Sequence, residues 1–278
     1  MSEIFDLLAC ASLHVSAGAI TLNDFANPNF ALAVLSSSER ARAERTREQC
    51  SALGATILHP KHSAYPSSFH ALESPPLFLS VLGSPEGLSI DQRLAVVGSR
   101  ELSARAGEWM ASELPLFLKR CPNAVIVSGG ARGADQAAHL AAIRTSRPTI
   151  CFLPSGLDAV YPPSLNSWVR PLIETGGCLV SQFSPEMPAK RHHFEKRNQL
   201  ITSLSHGVFV TEASRRSGSL MTARFAVDQG RELAALPSFP GDAVGAGTLD
   251  LLRGHAELIC DAEDLAVFLG RVRPLRFD

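Results

Sequence analysis

The sequence has no C-x-x-C pair, no apolar run near the roughly 20 residues that span a bilayer, and no surplus of either charge. The cysteines, Cys10, Cys50, Cys121, Cys151, Cys178 and Cys260, lack metal-binding spacing, and several sit inside apolar runs such as ICFL and GCLV. They read as buried thiols of a reducing compartment rather than as a disulfide framework or a zinc site. The N-terminus MSEIFDLLACASLHVS starts acidic and has no basic n-region, so no secretory signal is expected and the chain reads as cytoplasmic, with no membrane partner. A formal net charge of −1 excludes a surface coated in positive charge. It leaves room for a local basic patch, because a nucleic-acid footprint depends on how charge is distributed. There is also no internal repeat and no low-complexity tract.

What is present is a run of short apolar segments from residue 94 onward: LAVVG (94–98), AVIVS (124–128), TICFL (149–153), CLVSQ (178–182), GVFVT (207–211) and ELAAL (232–236). Nearly continuous apolarity over four or five residues suits strands buried on both faces of a parallel sheet. Between them lie helical patterns such as ADQAAHLAAI (134–143) and SLMTARFAVDQG (219–230), the second closing on Gly230. Alternating strand and helix predict an α/β fold: an extended Rossmann-like, doubly wound, mostly parallel sheet over residues 51–270. Residues 1–50 predict a short helical segment, with ERARAERTREQC (39–50) its clearest helix, and a proline-bearing lead-in, AYPSSFHALESPPLFLS, follows. The chain ends soon after the last helical pattern, which leaves no room for a C-terminal winged helix.

In such sheets ligands bind beyond the C-terminal strand ends, and here those ends carry distinctive loops. SGGARGAD (128–135) combines a glycine-rich turn with a helix start, the ingredients of a phosphate cradle. It has neither G-x-G-x-x-G spacing nor a following G-K-[ST], so it is neither a standard dinucleotide fingerprint nor a Walker loop. Read structurally, it is a tight βα turn with Asp135 as a cap. RRSGSLMTA (215–223) is a second such turn, whose Ser217 or Ser219 could cap a helix or bind phosphate. The third element is KRHHFEKRNQLI (190–201), where Lys190, Arg191, Lys196 and Arg197 surround Phe194 and meet Glu195 alone in opposition. Cations with an interleaved ring suit single-stranded nucleic acid, phosphates meeting cations and a base meeting the ring. The plain alternatives are a solvated charged face and a buried anchoring phenylalanine. His192 and His193 have no carboxylate or cysteine at metal spacing, so no metal and no cofactor are expected. Glu212 reads as structural, accepting from the 217–219 turn or pairing with Arg197 or Arg224. Asp158 and Tyr161 read as loop-fixing residues.

VVGSR (96–100), SGGARGADQAAH (128–139), GLDAVYPPSLN (156–166), RHHFEKRNQLITSLS (191–205) and TEASRRSGSLMTARFAVDQGRELAALP (211–237) occur in the order seen in the DNA-processing protein A (DprA, or Smf) family. The lead-in AYPSSFHALESPPLFLSVLG (64–83) also resembles that family, so the likeness covers roughly residues 50–260. The resemblance implies an extended Rossmann fold that binds single-stranded DNA, forms homodimers, protects incoming strands and loads the RecA recombinase during natural transformation, without catalysis. Residue by residue, it implies that Ser99 and Arg100 meet phosphate. It implies that Ser128, Gly129, Gly130, Ala131, Arg132 and Gly133, with Ser217, Gly218, Ser219 and Thr222, form the strand pocket. Lys190 and Arg191 would bind phosphate, Phe194 would stack on or wedge against a base, and Arg197 and Asn198 would shape the same wall. Three departures stand out: a reduced N-terminal helical domain, no winged helix, and Ser181-Gln182 where the family usually has Ser-Glu.

Two other readings share the fold. A nucleoside-monophosphate phosphoribohydrolase would carry P-G-G-x-G-T-x-x-E, which is missing here although Glu212 ends a strand. A small-nucleotide sensor would use similar pocket chemistry, but it would not need the charged rim at 190–197.

Overall fold

The computed structural model describes residues 2–90 and 92–272. The chain opens with helices α1 (Ser2–Ser12), α2 (Pro28–Ala33) and α3 (Ser37–Ala52). A capping box starts α3: the Ser36 hydroxyl accepts from the Glu39 N–H, and the Glu39 carboxylate accepts from the Ser36 N–H. Leu8, Cys10, Phe25, Leu32, Ala43 and Cys50 of this region close a core of their own with Ile57 and Phe78. Strands β1 (Thr56–Leu58) and β2 (Leu79–Gly83) follow, separated by an irregular segment with one 3-10 turn.

From residue 92 the chain alternates. It runs β3 (Gln92–Val97), α4 (Ala104–Arg120), β4 (Ala124–Ser128), α5 (Ala134–Arg144), β5 (Thr149–Phe152), α6 (Asn166–Glu174), β6 (Cys178–Ser181) and α7 (Arg191–Leu204). It continues through β7 (Gly207–Val210), α8 (Gly218–Asp228), β8 (Glu232–Ala235), α9 (Ala246–Arg253), β9 (Glu257–Leu258) and α10 (Ala262–Arg271). Among the described residues these strands make one nine-stranded sheet, ordered β1-β2-β6-β5-β4-β3-β7-β8-β9. β3 to β9 pair in parallel, while β1 and β2 join antiparallel beside β6. No helix among the described residues is long and apolar enough to cross a membrane.

All six apolar runs are strands, and the reason is visible in β3. Leu94 and Val96 join a core with Leu114 and Phe117 of α4, Ala138 of α5 and Phe268 of α10. Ala95 and Val97 face the other way, toward Leu200 and Ile201 of α7 and Ala223 of α8. A strand covered by helices on both faces has no polar side, so it shows no alternation. Each buried Val or Leu contributes roughly 1.5–3 kcal/mol.

Chain order and spatial order together place the binding edge. From β3 the chain winds through β4, β5 and β6 to one side, then returns to β7 on the other side of β3 and winds outward through β8 and β9. The direction of winding therefore reverses between β3 and β7, and loops leaving those two C-terminal ends diverge to open a crevice. The proline-bearing lead-in, expected to be irregular or edge-like, runs into β2, one strand in from the sheet edge between β1 and β6. Cys10, Cys50, Cys151 and Cys178 are buried as the composition suggests, whereas Cys260 is exposed.

Candidate nucleic-acid interface

Four helix starts face the crevice. α4 begins at Ser103, whose hydroxyl accepts from the Ala106 N–H. The Ser103 N–H donates to Glu212 Oε2 at 2.9 Å. Glu212 is thus buried at the end of β7 as a cap for α4, and this bond replaces the expected partners, the 217–219 turn, Arg197 and Arg224. α5 starts at Gly133, whose φ of +77° and closeness to Ser99 O, 2.3 Å from where a Cβ would stand, require glycine. α8 starts at Ser217, whose hydroxyl accepts from the Leu220 N–H at 3.4 Å.

The basic stretch turns out to be the N-cap and first two turns of α7. Lys190 occupies the N-cap, makes no capping hydrogen bond, and is followed directly by Arg191 at the first helical position. Cations at this end oppose the helix dipole, which favours negative charge there. An anion that met both the open N–H groups and the cations would relieve both terms. His193 is turned inward: its Nδ1 lies 3.0 Å from Pro154 O and its ring stacks on Phe183 at 4.0 Å. Burial is the main cause that lowers its pKa below the usual imidazole range. No group of three or more His, Cys, Asp and Glu able to hold a metal occurs among the described residues.

The loop after β3 and the starts of α5, α7 and α8 line a groove of about 980 Å³. Of the residues named from sequence, it is lined by Ser99, Arg100, Ala131, Arg191, Phe194, Arg197, Asn198, Ser217, Gly218, Ser219 and Thr222. Arg132 is exposed and faces a smaller adjoining hollow of about 60 Å³, shared with Arg100, Tyr161 and Phe194. The half-buried Phe194 ring meets Tyr161 edge-on at 5.9 Å, with the Arg100 guanidinium 5.3 Å from its centroid. Six arginines and three carboxylates line the groove, so its charge is positive on a chain that is nearly neutral.

Other named residues hold the loops from behind. The Ser128 hydroxyl is fully buried and donates to Val96 O at 2.6 Å, inside the sheet. Gly129 and Gly130 are buried, and Gly133 serves the turn. Lys190 is exposed but lies outside the groove lining. Arg197 is only 5% exposed, and its Nη1 lies 3.4 Å from the Asp135 carboxylate. Burial pushes the Asp135 carboxyl above its usual range, with Arg197 and the Ala131 N–H opposing that shift. The Ser219 hydroxyl donates to Gly98 O at 2.7 Å, which ties the α8 turn to the end of β3, and the Thr222 hydroxyl donates to Gly218 O within α8.

The structure adds residues to the groove: Arg215, Arg216 and Arg224 line it, the last read from sequence only as a partner for Glu212, and Tyr161, read as a loop-fixing residue, supplies a second ring. The Arg-Arg pair ahead of the S-G-S turn was the available signal. Arg215 is held by Asp250 at 2.6 Å, while Arg216 and Arg224 are exposed.

A sequence model described as DNA recombination-mediator protein A matches residues 56–270. Protein Smf of Escherichia coli K12 is 36% identical over 216 residues, covering 74% of this chain and 56% of that protein. DNA processing protein DprA of Streptococcus pneumoniae R6 is 33% identical over 202 residues, covering 72% of this chain and 70% of that protein. The chain thus spans little more than half the length of the Escherichia coli relative. Among solved structures, DprA from Streptococcus pneumoniae superposes with a TM-score of 0.77 at 24% identity, covering 98% of this chain and 99% of that one. A structure describing the single-stranded DNA binding mode of DNA processing protein A from Helicobacter pylori superposes with a TM-score of 0.68 at 28% identity, covering 78% of this chain and 96% of that one. The Streptococcus pneumoniae structure bears on the fold, and the family model together with the two sequence relatives bears on kinship: this chain belongs to the DNA recombination-mediator protein A family.

Proposed function

We propose that the chain binds single-stranded DNA in the groove at the β3–β7 switch point and acts as a recombination mediator. In this reading it is a cytoplasmic homodimer that protects incoming strands and loads RecA onto them during natural transformation. It works by binding, without catalysis, cofactor or metal. The observation that carries the reading is the coincidence, in one groove, of exposed Arg100, Arg191, Arg216 and Arg224 with the Phe194–Tyr161 ring pair. Arginines along a groove meet a phosphate chain, and a ring among them offers a face to any base, giving affinity with little sequence preference. The Helicobacter pylori relative, with its single-stranded DNA binding mode, supports the same assignment.

The test is an electrophoretic shift with single- and double-stranded oligonucleotides across a salt series, on the wild type and on a double variant, Arg191→Ala with Phe194→Ala. The wild type is expected to prefer the single strand. The double variant is expected to lose at least tenfold in affinity, since one stacked base alone contributes about 1–3 kcal/mol. Preference for the duplex, or an unchanged double variant, removes the reading. Calorimetry with mononucleotides separates it from a small-nucleotide sensor, which would bind them as tightly as oligonucleotides.

A further inference from the structure

The loop that follows β8, residues 236–245, leaves the same sheet edge as the loop that follows β7. β7 and β8 are parallel neighbours, and the Leu236 N–H extends their pairing by donating to Val210 O at 3.1 Å. The loop is closed and tied down. Ser238 packs so tightly on Gly245 that a Cβ there would stand 2.2 Å from the Ser238 Cβ. Within it the Asp242 N–H donates to Phe239 O and the Gly245 N–H donates to Asp242 O. Just beyond, the Gly247 N–H donates to Ala213 O at 2.8 Å, which fixes the loop's foot against the segment that carries Arg215 and Arg216.

This constrained loop displays two apolar side chains. Phe239 is 67% exposed and Val244 is 48% exposed. Val244 lines the groove next to Arg215 and Arg216, so the loop is continuous with the site already described. Asp242 is the one carboxylate of the loop, against two arginines at its foot. A tied-down turn that carries an exposed ring, on a loop whose Val244 lines the groove, has the chemistry of a stacking platform.

We propose that Phe239 is a second base-stacking platform, so that a bound single strand runs from Phe194 across the β3–β7 switch point to the loop after β8. The proposal rests on reading the groove as a single-strand site. Phe194 reaches across from α7 to Arg100 after β3 and to the hollow formed with Ala131 and Arg132 after β4; those loops stand two and three strand spacings from the loop after β8, about 10–14 Å, so the two platforms serve different nucleotides of one strand.

A Phe239→Trp variant places a reporter where the base would stack, and oligothymidylate is the probe. Quenching of the new fluorescence is expected with an oligonucleotide of about 12 nucleotides, within the usual range of single-strand site sizes. A dinucleotide that occupies only the Phe194 end leaves it unquenched. Phe239→Ala is expected to weaken binding of the longer strand by about 5- to 150-fold, the equivalent of one lost stack. Its salt dependence should stay that of the wild type, because no phosphate contact is removed. If Arg191→Ala with Phe194→Ala abolishes binding while Phe239→Trp stays unquenched at saturation, the platform is refuted and the groove stands. If that double variant binds as the wild type does, the groove reading itself fails. If DNA-free Phe239→Ala changes its association state in sedimentation, the ring belongs to a protein contact and the proposal is overturned.

Discussion

Arg197 shows how one residue changes meaning between sequence and structure. In the string KRHHFEKRN it is one cation among four, but on α7 it points inward between the Asp135 carboxylate and the backbone of Gly129. A Cβ added at Gly129 would lie 1.1 Å from Arg197 Nη1. The glycine is there because the guanidinium fills the space a side chain would need. Gly129→Ala is therefore expected to expel Arg197 and leave Asp135 buried without its cation, and breaking a buried pair costs about 3–5 kcal/mol. Urea unfolding should show a loss of that size. A variant within about 0.5 kcal/mol of the wild type would mean that Arg197 relocates without penalty and does not brace the loop. Ser128 follows the same logic: its neighbours in the motif suggest a phosphate ligand, yet at the end of a fully buried strand its hydroxyl serves the sheet.

At the scale of elements, legibility followed burial. β3 to β8 could be read because strands covered on both faces must be continuously apolar. β1 and β9, of three and two residues, are too short to carry a pattern, and β2 hides in a proline-bearing stretch. The start of α7 could not be read as a helix start, because Lys190 and Arg191 are the wrong charges for that position; the groove explains them where propensity does not. The sequence does not assign Arg216 and Arg224 to the site, because only the topology brings the loop after β7 and the face of α8 to Phe194. The packing of α1 against the start of the sheet carries its own prediction. His59 is 3% exposed, packs against both Phe5 and Phe25, accepts the Lys61 N–H on Nδ1, and has Asp6 at 3.7 Å and His62 edge-on. Burial lowers its pKa to about 4, with His62 acting in the same direction. The unfolded chain, with a pKa near 6.5, therefore binds a proton that the folded chain refuses. The stabilising difference is complete above pH ~6.5 and is lost as pH falls toward 4, at about 1.4 kcal/mol per unit. Unfolding midpoints measured across that window should fall less steeply for His59→Phe than for the wild type, and equal slopes would refute the assignment.

For the whole molecule the question is how a chain with 26 cations and 27 carboxylates would hold the proposed polyanion. Its distant surface contributes no attraction, so affinity must come from cations that touch the strand. Exposed Arg100, Arg191, Arg216 and Arg224 share the groove, whereas Arg215 is already held by Asp250 and Arg197 by Asp135. Four neutralised phosphates give a slope of log Kobs against log salt of about −3 on single strands, since each contributes about −0.7. Arg216→Ala should bring the slope toward zero by about 0.7 and weaken binding most at low salt. Arg120→Ala is the matched control. Arg120 is equally a surface cation, paired with Glu263 at 2.7 Å, but it ends α4 at the opposite edge of the sheet. Its removal alters the net charge as much as the loss of Arg216 does, yet it should leave the slope unchanged. Equal effects from the two substitutions would mean that the strand senses total charge, and the groove would lose its claim to be where the strand lies.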